Sequence, residues 1–317
     1  MRLIFIFIDG VGLGEQQTSN PFVYTETPGL SKLLDGKCLT SKAVNHEGLK
    51  ASLFGLDATL GIDGLPQSAT GQASMFTGIN AAAFLGRHLR GFPNHPLRQL
   101  IAENSLFKQL RRVGYKVAFA NAYRPPFFEL LRRGLPGCRY SCSTLITYYG
   151  GLPFYSLDDI KAGRALYMDI TNEVLQRMQF DVPLLTPGQG ASQLLNIGRK
   201  FDFCLFEYFL SDLAGHLADS SEAGQVVTRL DKFIGSLAEQ IDPDEEMLIV
   251  TSDHGNIEDV NRREHTLNRV PLLMVGNKDL RSKCGYQLND LTDLLPLVKE
   301  LLAEGGSQRK SARRISN

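Results

Sequence analysis

Short uninterrupted runs of apolar residues, each closed by polar residues, recur along the chain and predict buried β-strands. Strands that are covered on both faces of a parallel sheet have such continuous apolar sequences rather than an alternating pattern. The runs that fit this description are residues 3–8, 115–120, 201–209, 247–250 and 271–275.

Segments with a helical spacing of apolar residues separate several of these strands and predict helices between them. These segments are residues 105–113, 193–200, 226–241 and 291–302. A helix between neighbouring strands is typical of parallel sheets that are covered by helices on both faces. The pattern therefore predicts an α/β protein, a three-layer α/β/α sandwich built on a mostly parallel sheet.

The regular pattern stops between residues 124 and 189, where glycine, proline and arginine accumulate. We interpret this stretch as a small inserted cap, or lid, and residues 1–123 and 190–317 as the catalytic core. The end of the chain, residues 305–317, is rich in serine and arginine and lacks apolar periodicity. We therefore expect this tail to be disordered.

The charge balance limits the kinds of partner that the chain can attract. It has 34 basic and 34 acidic residues, so no overall field exists to attract polyanions. We expect no nucleic-acid partner and no binding to anionic membranes, and the oligomeric state stays open. The apolar run that ends at Asp9 is too short for a signal sequence or a membrane span. Five irregularly spaced cysteines do not resemble a disulfide framework and favour a reducing, cytoplasmic location.

Acidic residues and histidines lie just beyond the ends of predicted strands, or just before one. Open α/β sheets bind their ligands at the edge formed by the carboxyl ends of the strands. Carboxylate and imidazole together suit manganese or zinc, and several adjacent carboxylates repel one another unless cations lie between them. We therefore predict two divalent ions, Mn²⁺ or Zn²⁺, although each acid–histidine pair alone is also consistent with a solvated turn. The residues in this pattern are Asp9, Asp212, His216, Asp253, His254 and His265.

A stretch of small residues around Ser68 and Thr70 predicts a tight turn that enters a helix. Helix N-termini carry unpaired N–H groups and favour anions, so a serine at this position is well placed to handle phosphate. The alternative is that either hydroxyl only caps the helix.

Four motifs in this order resemble the metalloenzyme branch of the alkaline phosphatase superfamily, especially cofactor-independent phosphoglycerate mutases and phosphopentomutases. The motifs are D-G-V-G-L-G-E from Asp9, Q-S-A-T-G at residues 67–71, D-L-A-G-H at residues 212–216, and T-S-D-H-G-N at residues 251–256 followed by E-H-T at residues 264–266. The resemblance implies an alkaline phosphatase-like fold and a phosphoserine intermediate formed on Ser68. It also implies two ligand sets, which are Asp9, Ser68, Asp253 and His254 for one metal, and Asp212, His216 and His265 for the other.

Two departures from the family pattern bear on the reaction. The inserted segment is shorter than in the mutases, and Gln72 stands where a histidine is common. Because a small insertion excludes water less completely, we predict a phosphatase that acts on a small phosphate ester, with a phosphomutase as the alternative. Two other classes stay open: a metal-free serine hydrolase that uses Ser68, His254 and Asp212, and a metal-binding module without turnover.

Several basic or polar side chains are candidates for binding substrate. Guanidinium groups bind phosphate and carboxylate through two hydrogen bonds, although a solvated basic face is the alternative for each arginine. The candidates are Thr70, Arg87, His88, Arg124, Arg132 and Arg133.

Overall fold

A mixed β-sheet lies at the centre of the molecule. The structure, a computed structural model, describes residues 1–134, 139–285 and 287–315, with side chains up to Gly305. Within these ranges seven strands pair in the order β2-β3-β7-β6-β1-β5-β4. The strands are β1 (Arg2–Ile8), β2 (His46–Glu47), β3 (Ala51–Leu56), β4 (Val117–Phe119), β5 (Phe203–Tyr208), β6 (Glu246–Thr251) and β7 (Val270–Val275).

Helices precede, connect and follow these strands. They are α1 (Pro21–Tyr24), α2 (Pro28–Leu33), α3 (Ser68–Thr77), α4 (Ala81–Leu85), α5 (His95–Asn104), α6 (Leu106–Arg112), α7 (Pro125–Arg132), α8 (Cys142–Tyr149), α9 (Leu157–Lys161), α10 (Glu173–Arg177), α11 (Pro187–Gly198), α12 (Leu210–Leu217), α13 (Ser220–Gln240), α14 (Lys278–Gly285) and α15 (Leu294–Ile315). Short 3₁₀ helices lie at Ser41–Ala43 and Leu291–Asp293.

Helices cover both faces of the sheet, which confirms the predicted α/β/α sandwich. Side chains of β1 alternate between two hydrophobic clusters: Phe5 and Phe7 pack with α3, α5, α6, α8 and α15, whereas Ile4 and Ile6 pack with α2, α11 and α13. The central strand is therefore buried on both sides, as its unbroken apolar sequence predicts.

The direction of β7 differs from a simple parallel arrangement. Strand β1 is parallel to β5 and β6, but β7 is antiparallel to both β6 and β3. The residues before β7 therefore lie at the same edge of the sheet as the residues after β6. This direction brings His265 to the edge where Asp253 and His254 follow β6.

Strands β2 and β3 were not predicted from the sequence. Strand β3 carries Ser52 and Gly55, which interrupt its apolar run, and β2 has only two residues. The buried Ser52 hydroxyl accepts a hydrogen bond from Arg281 at 2.6 Å, so a tertiary contact satisfies this polar group within the sheet.

The segment predicted as a cap, residues 124–189, divides into two parts. Helix α8 is buried in the main core, where Leu145 and Ile146 are fully covered. Residues around α9 and α10 instead form a small separate cluster that includes Ile160, Tyr167 and Leu175. The segment is thus partly integral to the helical layer, and its boundary as a single cap stays a prediction.

The last helix, α15, begins at Leu294 and extends to Ile315. Gly305 lies so close to Met1 that a Cβ atom at Gly305 would be 2.1 Å from the Met1 side chain. The expected disorder of residues 305–317 stays a prediction.

Two further features bear on the environment of the chain. Among the described helices, none has both the length and the apolar character needed to cross a bilayer. The cysteines that the structure describes, Cys38, Cys142, Cys204 and Cys284, are free thiols.

Candidate metal centre

Four loops or helix starts at one edge of the sheet bring the predicted ligands together. Asp9 follows β1, and Asp212 lies in the first turn of α12 after β5. Asp253 and His254 follow β6, and His265 precedes the antiparallel β7. The strand-end positions identified in the sequence therefore converge in space.

Asp212 lies at the centre of the first group of ligands. Its Oδ2 atom is 3.4 Å from Nε2 of His216, which is one helical turn later on α12, and its Oδ1 atom is 3.5 Å from Nε2 of His265. One ligand atom from each of the three residues lies within 4.8 Å of the others, which is compatible with a single ion between them.

The second group lies around His254. Nε2 of His254 is 3.2 Å from Oδ1 of Asp9 and 2.9 Å from the hydroxyl of Ser68. Asp9, Asp212 and His254 also bring ligand atoms within 4.8 Å of one another, so Asp212 belongs to both groups. Asp253 is 3.7 Å from the same imidazole nitrogen and accepts a hydrogen bond from Gln72 at 3.0 Å. All seven predicted ligands thus lie in one continuous cluster.

The hydrogen bonds of the three histidines fit metal binding. Nδ1 of His216 lies 2.7 Å from the carbonyl of Arg263, and Nδ1 of His265 lies 2.7 Å from the carbonyl of Pro66. A carbonyl only accepts, so each Nδ1 donates a proton to it and each Nε2 is directed at the Asp212 carboxylate. This is the usual second contact of a metal-binding histidine. Nδ1 of His254 faces the carbonyl of Gly255 at the longer distance of 3.4 Å. Oδ1 of Asp9 is buried and makes no hydrogen bond with any described residue, although Nε2 of His254 lies 3.2 Å away, which is compatible with a metal ligand.

The charges in the cluster are strongly coupled. Burial and the adjacent Asp253 carboxylate raise the pKa of Asp9 well above its usual range. Burial opposes ionisation of Asp212 too, but His265 and His254 hold the pKa of this carboxyl well below its usual range. Burial disfavours the imidazolium of His254, yet Asp253 and Asp9 outweigh it and raise the pKa of His254 to about 10. Buried carboxylates at such short spacing favour cations between them.

Ser68 is the first residue of α3, and its side chain points at the cluster. Nearby Gly71 approaches the loop after β6 so closely that a Cβ atom would lie 2.7 Å from the Asp253 carbonyl. This glycine therefore lets α3 dock against the metal-binding loop. Thr70 is fully buried and points elsewhere: its hydroxyl donates to the carbonyl of Gln67 and accepts from the N–H of Leu89.

A buried glutamate that was not predicted from the sequence organises the loops. Glu258 accepts hydrogen bonds from the N–H groups of Gly12 at 2.8 Å and Asn256 at 2.7 Å, and from the hydroxyl of Thr266. It thereby joins the loops after β1 and β6 to the segment before β7. Its only sequence signal is its place in the polar loop that follows His254.

Asn256 supports the first ligand group directly. Its Nδ2 atom donates to Oδ1 of Asp212 at 2.7 Å and to the Asp212 carbonyl at 3.1 Å. This amide fixes the orientation of the carboxylate that both groups share. Gln72 supports Asp253 in the same way, so the residue that departs from the family pattern has a defined contact.

A cavity of about 550 Å³ extends from Asp9, Ser68 and Asp212 towards the segment at residues 124–189. Arg124 and Arg139 line this cavity, as do several aromatic residues. The cluster of candidate metal ligands therefore lies at one end of a space large enough for an organic phosphate.

The other candidate substrate ligands lie away from the described lining of the cavity. Nε of Arg132 is 3.3 Å from the carbonyl of Phe128, and Arg133 ends α7. His88 contacts the carbonyl of Ile62 at 3.1 Å, and Arg87 precedes it in the loop after α4. Of the predicted arginines, Arg124 alone is among the residues described as lining the cavity.

The family comparison supports the resemblance seen in the motifs. Residues 187–300 match the model of the metalloenzyme superfamily. A 2,3-bisphosphoglycerate-independent phosphoglycerate mutase from Vibrio atlanticus is 36% identical over 101 residues, which is 30% of this chain and 20% of that protein. The corresponding mutase from Pyrococcus abyssi is 24% identical over 258 residues, 76% of this chain and 62% of that protein. The matched regions thus span less than two thirds of either relative.

Solved structures confirm the predicted alkaline phosphatase-like fold. A protein from Pyrococcus horikoshii superposes with a TM-score of 0.55 at 14% identity, covering 95% of this chain and 96% of that one. Alkaline phosphatase from the Antarctic bacterium TAB5 superposes with a TM-score of 0.54 at 13% identity, covering 95% and 98%. At these identities the likeness concerns the fold alone.

Proposed function

We propose that this chain, a metalloenzyme-superfamily relative with an alkaline phosphatase-like fold, is a phosphatase. It would hydrolyse a small phosphate ester through a phosphoserine on Ser68, with two divalent metal ions, Mn²⁺ or Zn²⁺, at the edge of the sheet. The observation that carries the proposal is the position of the Ser68 hydroxyl, 2.9 Å from Nε2 of His254, beside the buried carboxylate of Asp9.

The two ligand groups would hold the metals. Asp212, His216 and His265 would hold one ion, and Asp9, Ser68, Asp253 and His254 would hold the other, with Asp212 close to both. When bound, the two cations supply positive charge that lowers the pKa of the serine hydroxyl and stabilises the charge that develops on the transferred phosphoryl group.

The chain's own groups account for the two transfer steps. The Ser68 hydroxyl gives up its proton to water, and its oxygen attacks phosphorus while the bond from phosphorus to the alcohol oxygen breaks. The departing oxygen takes a proton from water and leaves as the alcohol. The first turn of α3 contributes N–H groups without intrahelical partners, which favour the anionic phosphoryl oxygens. Water then attacks phosphorus, the bond from phosphorus to the serine oxygen breaks, and inorganic phosphate leaves.

Solvent access supports hydrolysis as the outcome. The side chain of His216 is 29% exposed and that of Asp212 is 16% exposed, so water reaches the ligand groups. A mutase must instead keep its phosphoenzyme from water until a second hydroxyl of the substrate accepts the phosphoryl group. A phosphomutase is the second candidate, because both sequence relatives described above are named as phosphoglycerate mutases.

The metal-free serine hydrolase is disfavoured by the orientation of His254. A catalytic triad needs a carboxylate at Nδ1 while Nε2 faces the serine. In this chain Asp9 and Asp253 approach Nε2, on the same side as Ser68, whereas Nδ1 faces the carbonyl of Gly255. The carboxylates are therefore placed to share a cation with the imidazole.

The experiment measures turnover of an aryl phosphate before chelation, after chelation, and after return of Mn²⁺ or Zn²⁺. We expect turnover that is lost on chelation and restored by the metal, with about two ions bound per chain by elemental analysis. A second reaction, with 3-phosphoglycerate in isotopically labelled water, distinguishes the outcomes because this ester has a second hydroxyl. Hydrolysis releases labelled inorganic phosphate, whereas intramolecular transfer gives an isomeric phosphate ester without the label. Turnover that is unaffected by chelation would contradict the metal-dependent mechanism, and unlabelled product would favour the mutase.

A further inference from the structure

We infer that the substrate is a phosphate monoester of an apolar alcohol, of aryl or arylalkyl type, rather than a sugar phosphate or a phosphoglycerate. The inference rests on the proposed function and adds the class of alcohol that the cavity accepts. The residues that line the cavity beyond the cluster of candidate metal ligands support this inference.

Packed aromatic rings form one wall. Tyr123 and Phe127, which both line the cavity, stack with ring centroids 3.9 Å apart and planes 25° apart. Phe154 supports both rings edge-on at 5.2 Å and 4.9 Å, and Phe127 also meets Tyr140 edge-on at 6.0 Å. Rings held from several sides form a rigid apolar surface, which favours a flat apolar ligand.

Helix α7 contributes apolar side chains to the wall of this cavity, and Phe127 also packs against the main hydrophobic core. None of its eight residues is buried, although the helix includes two prolines, two phenylalanines and two leucines. Pro126, Phe127 and Leu130 from this helix line the cavity. An amphipathic helix normally buries its apolar face, so this face is available to a ligand.

Exposed apolar side chains from separate segments meet around the same space. Phe92, Leu130 and Leu213 all line the cavity, and they are 45%, 42% and 52% exposed. Scattered exposed apolar residues are ordinary, but several gathered around one catalytic cavity indicate a binding surface. An apolar alcohol would cover them, whereas a polar alcohol would leave them in water.

Polar groups of the lining are largely occupied by one another. The hydroxyl of Thr144 lies 2.9 Å from both the Tyr123 and the Ser141 hydroxyls. Asn121 exchanges hydrogen bonds with the backbone of Glu207 at 2.7 Å and 2.8 Å, and the Glu207 carboxylate accepts from Ser143. The hydroxyls of a sugar would lose water here without gaining equivalent partners.

Arg124 and Arg139 complete the chemistry of the cavity. Their positive charges lie in the same lining as the aromatic wall and favour the approach of a phosphate dianion. The combination suits a ligand with a charged phosphate at one end and an apolar group at the other.

The test compares esters of primary alcohols of similar acidity, so that the leaving group does not decide the result. We expect kcat/KM to rise from glycerol phosphate to benzyl phosphate and naphthylmethyl phosphate, by about 10- to 100-fold over the series, because burial of an aromatic group supplies binding energy of this size. Faster turnover of glycerol phosphate or 3-phosphoglycerate would overturn the inference.

Variants assign the effect to the wall. Phe127→Ala should lower kcat/KM for naphthylmethyl phosphate about tenfold more than for glycerol phosphate, and Leu130→Asp should act in the same direction at an exposed site. Phe84→Ala is the matched control, because Phe84 is 54% exposed on α4 and is not among the residues described as lining the cavity. Equal losses for all esters in the first two variants would overturn the inference.

Inhibition by inorganic phosphate separates this inference from the function on which it rests. The inhibition constant of inorganic phosphate should be unchanged in Phe127→Ala. Free phosphate would bind at the ligand cluster and would not contact the aromatic wall. If no ester is turned over and phosphate does not bind in the presence of metal, the phosphatase proposal fails and the inference fails with it. If phosphate binds and only polar esters react, the inference alone fails.

Discussion

Ser68 and Thr70 lie two residues apart in the first turn of α3, yet their hydroxyls have different partners. The Ser68 hydroxyl faces His254 in the ligand cluster, whereas the Thr70 hydroxyl bonds to backbone groups of Gln67 and Leu89. This difference separates a nucleophile from a structural residue more clearly than their similar chemistry does.

We therefore expect Ser68→Ala to abolish a trapped phosphoenzyme and to reduce turnover on the order of 10³-fold or more. Thr70→Ala should lower the free energy of unfolding by about 1 kcal/mol, through its lost hydrogen bonds, with much smaller kinetic effects. Mass spectrometry of acid-quenched enzyme locates the phosphate. Phosphate on Thr70, or full activity of Ser68→Ala, would reject the assignment.

Glu207 gives the chain a pH-dependent stability. Burial and the Asp253 charge raise the pKa of Glu207 to about 7, in spite of the hydrogen bond from Ser143, against 4.5 for the ordinary carboxyl. Between these values the folded state holds a proton that the unfolded state has lost. The contribution of Glu207 to the free energy of unfolding is therefore fully present below about pH 4.5. It falls by roughly 3 kcal/mol as the pH rises to 7.

Glu207→Gln should remove this loss, because a neutral amide does not ionise on the same rise in pH. Urea unfolding of chelated protein at pH 5 and pH 8 measures the difference between variant and parent. Compared with the parent, Glu207→Gln should be more stable at pH 8 than it is at pH 5. The surface variant Glu239→Gln should show little difference from the parent at either pH. An equal offset at both pH values would show that Glu207 does not titrate in this range.

For individual residues, the sequence predicts candidate ligands that the fold brings together, but it does not predict the groups that orient them. Asp9, Asp212 and Asp253 are recognisable because each follows an apolar strand, which is a local signal. Glu258 and Asn256 have roles that depend on contacts between loops far apart in sequence. No local pattern distinguishes them from polar residues of a solvated turn.

Among the elements, α12 shows how close packing orients a ligand. A Cβ atom at Gly215 would lie 2.5 Å from the side chain of Asn256, the residue that holds Asp212. The glycine therefore keeps α12 near the loop after β6.

We expect Gly215→Ala to displace Asn256 and to weaken metal binding about tenfold or more, as changes behind metal ligands commonly do. Without this displacement, the substitution would stabilise the protein, because alanine has a higher helix propensity than glycine. Gly224→Ala in α13 is the matched control, because its new Cβ atom would be 3.3 Å from the nearest side chain. Metal titration followed by calorimetry gives both affinities, and equal affinities in the two variants would contradict this role for Gly215.

The element pattern was predicted well where strands are long and apolar, and less well where tertiary contacts decide. Strands β1, β5 and β6 agree closely with the predicted runs. Strand β3 was missed because its polar Ser52 is satisfied by Arg281, which lies far away in sequence. The antiparallel direction of β7 was also not predicted, because an apolar run does not indicate how its strand is oriented relative to the neighbouring strands.

Across the entire fold, a buried arginine and the ligand cluster lie at opposite ends of β7. Arg281 is fully buried beyond the end of β7, where it donates to the carbonyls of Gly276 and Leu49 and to the hydroxyl of Ser52. The ligand cluster lies at the other end of β7, next to its first residues.

Arg281→Leu should lower the free energy of unfolding by about 3 kcal/mol or more, because several buried acceptors lose their donor. Metal affinity measured well below the melting temperature should stay within about twofold, owing to the distance between the two ends of β7. Thermal unfolding and metal titration on the same sample provide both numbers. A large loss of affinity in folded protein would show that the two ends are coupled.

The position of β7 between β3 and β6 has a consequence for synthesis on the ribosome. Until β7 emerges, β3 lacks its neighbour on that side, β6 presents an unpaired edge, and His265 is absent from the ligand cluster. Strands β6, β1, β5 and β4 can pair before then, but β2 and β3 join them only through β7, the last of the seven described strands. The unpaired edges of β6 and β3 are therefore open to aggregation in the nascent chain. If Asp212, His216 and His265 hold an ion as proposed, its capture must wait until His265 has been synthesised.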